Sequence, residues 1–88
     1  MNLEAPRATT DQLLGSQAAL RRLAAREGLS NLRLAPDGTV FVHVDRDPGY
    51  GPVLRFVEAA TELLGAEPNV VTDETESARA KLPSSAAL

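Results

Sequence analysis

Apolar residues alternate along the stretch from Leu32 to Val44. Leu32 and Leu34 recur with period two, as do Val40, Val42 and Val44, while Phe41 and His43 fall on the opposite face of the second run. Side chains along a strand point to alternate faces, so the pattern predicts two half-buried strands, over Asn31–Ala35 and Thr39–Asp45. Pro36-Asp37-Gly38 stands between them. Pro presets φ, Asp bonds the backbone two residues on, and Gly accepts a positive φ, so the two strands are expected to form an antiparallel hairpin.

Helical spacing flanks the hairpin on both sides. Leu13, Gln17, Leu20, Leu23, Ala24 and Glu27 share one face of a first helix. Thr9 and Gln12 are spaced as a capping box at its start, and Gly28 stands where a C-terminal cap glycine belongs. Gly15-Ser16 interrupts the stripe, and Ser16 is a second candidate cap, making Gln17–Glu27 the firm part. Arg46–Pro52 reads as a loop. Val53, Phe56, Val57, Ala60, Leu63 and Leu64 then form an amphipathic stripe with Arg55, Glu58, Thr61 and Glu62 opposite, ended by Gly65. Asn69–Thr72 reads as a third short strand. Asp73–Ala80 reads as a short helix capped by Thr72 or Asp73, with the acidic run Asp73–Glu76 suited to a helix start.

The order is therefore α-β-β-α-β-(α). A helix between the second and third strands makes those two parallel. The expected fold is α/β, in the α+β sense: a small three-stranded mixed sheet with helices packed on one face. Residues 1–10 are expected as a flexible lead-in, 11–82 as a single domain, and 83–88 as a flexible tail.

Composition narrows this further. A chain of 88 residues allows one domain. A domain of that size hides only about 60–65% of its unfolded surface and gains from a partner. With two Phe, one Tyr and no Trp, the core must come mainly from Leu, Val and Ala. The lack of Cys removes disulfides, thiolate metal sites and Cys nucleophiles, and suits a reducing cytoplasm. A net charge of −3 argues against general nucleic-acid binding. No apolar run approaches the ~18 residues of a membrane span, and Met1–Thr10 lacks the apolar centre of a signal peptide. A cytoplasmic location, away from membranes, is the expectation.

Several residues are candidates for chemistry. Asp45 and Asp47 form a D-x-D pair, read either as a metal site or as a strand end running into a polar turn. Magnesium needs several converging oxygens, which favours the strand end. His43 lacks a nucleophile and an orienting partner in the sequence, which favours a sheet-surface residue over a general base. Arg21, Arg22 and Arg26 crowd one helix side, with Arg33 on the next strand: a patch for RNA or an acidic partner, or a solvated face. Tyr50, between two glycines, is a contact residue or a cover for the sheet end.

From Leu20 to about Leu82 the chain resembles the minimal nucleotidyltransferases, small bacterial members of the polymerase-β-type superfamily that often serve as antitoxins. The first helix matches in Leu20-Arg21-Arg22-Leu23-Ala24-Ala25-Arg26-Glu27-Gly28 and the first strand in Asn31-Leu32-Arg33-Leu34. Pro36-Asp37 and Val44-Asp45 match the ends of the family's central strand, Leu63-Leu64-Gly65 its helix terminus, and Pro68-Asn69-Val70-Val71-Thr72 its last strand. The family's two metal-binding aspartates fall on Thr39 and Phe41, and its third carboxylate falls on Asn69. The glycine–serine phosphate turn is missing, since Ala35 runs directly into Pro36; Gly15-Ser16-Gln17-Ala18 looks like that motif but lies before the first helix. Nucleotidyl transfer needs divalent metal held by clustered carboxylates.

The resemblance thus implies a nucleotidyltransferase-like scaffold with degenerate catalytic positions: a pseudoenzyme without cofactor, acting through protein–protein contact. Its implied partner is a ribonuclease toxin of the HEPN class or a second copy of itself. The alternatives are a residual Mg-dependent nucleotidyl transferase or nucleotide binder using Asp45, Asp47 or Asp73, and a small RNA-binding module using the arginines.

Overall fold

The hairpin, the crossover and the three anticipated strands are all present in a computed structural model, which describes residues 6–45 and 51–88. The elements run α1 (Thr10–Gly15), α2 (Gln17–Arg26), β1 (Leu29–Leu34), β2 (Val40–Val44), α3 (Gly51–Leu64), β3 (Val70–Thr72), α4 (Glu76–Lys81), a 3-10 turn (Leu82–Ser84) and β4 (Ala86–Ala87). The sheet has four strands in the order β3-β2-β1-β4. β1 pairs antiparallel with β2 and with β4, while β2 and β3, joined through α3, are parallel.

Local chemistry explains most boundaries. Thr9 caps α1 with a complete capping box: its hydroxyl accepts from the Gln12 N–H at 3.1 Å and its own N–H donates to Gln12 Oε1 at 2.9 Å. Ser16 separates α1 from α2 without using its side chain as a cap. Gly28 follows α2 at φ +74°, a conformation that costs glycine no Cβ clash. In the hairpin turn the Thr39 N–H donates to Asp37 Oδ1 at 3.0 Å, and Gly38 takes φ +90°.

One irregularity lies within β1. The register steps from Ser30↔His43 to Arg33↔Phe41, so β1 holds one more residue than β2 there. Asn31 absorbs the bulge at φ +52°. The insertion shifts the alternation so that Leu29, Leu32 and Leu34 all reach the same core.

Two corrections to the expected architecture concern layers and strand number. Leu13, Leu20, Ala24, Val53, Phe56 and Ala60 from α1–α3 pack on the Val40/Val42 side of the sheet. Helix α4 covers the other side, where Phe41 is enclosed with Ala35 and Ala78 and flanked by Val71 and Leu82. Helices therefore lie on both faces, because Phe41 is too large and apolar to be left in water. The fourth strand comes from the segment expected as a tail. Ala86 and Ala87 pair with Leu34 and Arg33, the Leu88 N–H donates to the Leu32 carbonyl at 2.9 Å, and Leu88 is buried in the main core. Two alanines carry no strand signal of their own; the open edge of β1 supplies the pairing.

Candidate functional site

The sheet end that carries the hairpin turn brings together two of the positions singled out in the sequence. Thr39 enters β2 buried, and Asn69 precedes the parallel strand β3 beside it. The Asn69 side-chain amide donates to Thr39 Oγ1 at 3.3 Å, and the Val40 N–H donates to the Asn69 carbonyl at 2.8 Å. Around this pair lies a cleft of about 270 Å³, lined also by Arg7, Asp37, Gly38 and Lys81.

Asp37 is the charged centre of the cleft. Its carboxylate receives Lys81 Nζ at 2.6 Å and the Thr39 N–H. The Lys81 ammonium first, and the Thr39 hydrogen bonds after it, hold the Asp37 carboxyl far below the usual carboxylate range. Lys81 and Arg7 were not anticipated. Lys81 lies 44 residues from Asp37 in sequence, and only the docking of α4 under the sheet makes them neighbours.

Phe41 does not join Thr39 and Asn69. It is fully buried beneath α4. A divalent cation does not fit this set: a phenyl ring offers no ligand atom, and the hydroxyl and amide are neutral and occupied with each other. Among the described residues no group of His, Asp and Glu gathers as a metal site. Asp45 accepts a hydrogen bond from the Ser30 hydroxyl at 2.6 Å, while Asp47 and Tyr50 lie outside the described residues. His43 has a partner that the sequence did not reveal: its Nδ1 lies 3.1 Å from Asp73 Oδ2, at the far end of the same face. Asp73 therefore does not cap α4; Thr75 does, accepting from the Ala78 N–H at 3.1 Å.

The arginine cluster divides. Arg33 turns to the C-terminal segment, donating to Ser85 Oγ at 3.1 Å and to the Ser85 carbonyl at 2.8 Å. Arg21, Arg22 and Arg26 are exposed on α2, but only Arg22 and Arg26, one turn apart, border the groove between α2 and α3. One residue step turns the chain ~100° about a helix axis, which carries Arg21 to the other flank. The groove is an open depression of about 630 Å³ over Ala19, Leu23, Ala59 and Leu63, with Glu62 on its α3 wall. Leu63 is 48% exposed, a large apolar side chain left in water. At the end of the groove Arg55 Nε meets Glu27 Oε1 at 2.6 Å, tying α3 to the end of α2.

Among the described residues no helix is long and apolar enough to cross a membrane. No family model, curated protein or solved structure matches this chain.

Proposed function

We propose that this protein works by protein–protein contact on a nucleotidyltransferase-like scaffold without nucleotidyl transfer, and that the α2–α3 groove is its contact surface. The observation that carries the reading is the Thr39–Asn69 hydrogen bond. The positions where the resemblance calls for carboxylates hold two neutral side chains that satisfy one another, and the third, Phe41, is sealed in a core. Catalysis of phosphoryl chemistry depends on fixed charge at the reacting centre, which these residues do not supply. The groove supports the other half of the reading. It offers exposed Leu63 and partly exposed Leu23 between charged walls, the arrangement of an apolar centre with a polar rim. A HEPN-class ribonuclease is the heterologous partner that the resemblance suggests.

Two measurements test this. Calorimetric titration with ATP and Mg²⁺ is expected to give no binding heat. Affinity capture from native extract, with the wild-type chain and with Leu63→Asp, is expected to retain a protein partner on the first and lose it on the second. Binding heat abolished by Asp45→Ala, with no groove-dependent capture, would overturn the proposal in favour of a residual nucleotide site.

A further inference from the structure

The two walls of the groove carry opposite charge. On α2 the bordering residues are Arg22 and Arg26, and that helix has no acidic residue. On α3 the bordering charge is Glu62, with exposed Glu58 one turn before it. Among the described residues neither arginine has a carboxylate within 4.0 Å, and neither does Glu62 have a cation, so these charges are not consumed by one another. Leu23 and Leu63 lie between the walls.

A surface with a basic edge, an apolar centre and an acidic edge is complementary to itself after a half-turn. A two-fold axis running along the groove, in the plane of contact, lays α2 of one copy over α3 of the other. It sets Arg22 and Arg26 against the partner's acidic edge twice over, and brings the leucines together. Isologous dimers need such a patch, in which each residue meets a different residue of its twin. We infer that this chain forms a two-fold homodimer through the α2–α3 groove. The inference rests on the reading of that groove as a contact surface and names its occupant as a second copy.

Size sets the strength. Two adjacent helices of these lengths present a face of roughly 20 Å by 20 Å, about 400 Å² of projected area per copy, about half the standard size and in the range of weak, transient association. The dimer is therefore reversible and its population depends on protein concentration. Because its steering is ionic, it weakens as salt rises.

The test is sedimentation equilibrium of the purified chain over a hundredfold concentration range, on wild type, Arg22→Glu, Glu62→Arg and the double variant. The substituted side chains are exposed, and unchanged far-UV circular dichroism checks that each variant folds. Each single variant sets like charges together at both symmetry-related contacts and should weaken the dimer at least tenfold. The double variant, and equally the one-to-one mixture of the two single variants, restores opposite charges and should recover association. A wild-type chain that stays monomeric up to millimolar concentration overturns the inference. So does a dimer indifferent to both single variants, or one that the double variant fails to recover. If the chain is monomeric yet captures a heterologous partner in a Leu63-dependent way, the second copy is ruled out while the contact surface stands. If neither dimer nor capture depends on the groove, both readings fall.

Discussion

Replacing Phe41 by Asp would put a carboxylate at a position where the resemblance calls for one, and the fold should not accept it. The ring is fully enclosed beneath α4 among Ala35, Ala78, Val71 and Leu82, and its cross-strand neighbour Arg33 is turned to Ser85. Removing a buried phenyl group costs about 3–5 kcal/mol through lost transfer energy and the cavity left behind. The new carboxylate adds a second penalty. Enclosed in apolar surroundings it must take up a proton, and holding an aspartate with an ordinary pKa near 3.9 protonated at pH 7 costs about 1.4 kcal/mol for each of about three pH units, or about 4 kcal/mol. The combined loss of roughly 7–9 kcal/mol is comparable with the whole stability of a domain of this length, about 4–13 kcal/mol at the usual share per residue.

The second penalty carries a signature that the first lacks. The folded state binds a proton at position 41 that the unfolded state releases, so Phe41→Asp should gain stability as pH falls from 7 toward 4, relative to Phe41→Ala. Urea unfolding followed by circular dichroism at pH 7 and pH 4.5 measures this directly. Phe41→Leu should cost about 1 kcal/mol at both values, and Phe41→Ala 3–5 kcal/mol at both. A Phe41→Asp variant no less stable than Phe41→Ala at pH 7, with the same pH dependence, would refute the reasoning, because the carboxylate would then be reaching water past α4.

Two other outcomes follow from local geometry. At Asn31 the backbone sits at φ +52°, so Asn31→Gly should leave thermal stability unchanged or slightly raised, while Asn31→Val should lower it by about 1–2 kcal/mol in urea unfolding. Asp37 has its carboxyl pKa depressed in the folded state by Lys81 and Thr39, so its contribution is fully present above the unfolded value near 4 and is lost as pH falls through the acid range below it. Asp37→Asn should therefore flatten the acid limb of a stability profile taken from pH 5 to pH 2, and salt should shrink the difference, since both side chains are exposed to solvent.

The features legible in the sequence were those whose cause lies within a few residues. Thr9 and Gln12 are three apart, Asp37 bonds a residue two ahead, and the period of 3.6 in α3 needs only its own residues. The features that were not legible depend on partners distant in the chain. The bulge at Asn31 answers to the pairing of β1 with β2, and Asn, which tolerates a left-handed backbone, was the one local hint. The capping residue of α4 was misplaced because Thr72, Asp73 and Thr75 are all competent caps. His43, which the sequence could not locate near Asp73, draws that carboxylate into a contact across the sheet. Lys81 near Asp37 and Ser85 on Arg33 appear only once α4 and the C-terminal segment have docked.

Thr39, Phe41 and His43 share a face, and at roughly 3.3 Å per residue the first and last are about 13 Å apart. Each polar end has found a partner on the neighbouring strand or just beyond it: Asn69 for Thr39, and Asp73 for His43. Phe41 stands between them, capped by α4. The face is therefore two small polar contacts separated by an apolar plug. Building a charged centre there would take removal of the plug, displacement of the helix above it and new carboxylates at both ends, a set of changes in which the first step alone costs about 3–5 kcal/mol. The α2–α3 side has the opposite character. Its outer residues, Arg22, Arg26, Glu62 and Leu63, are exposed and belong to neither core, so substituting them changes the surface without opening a cavity.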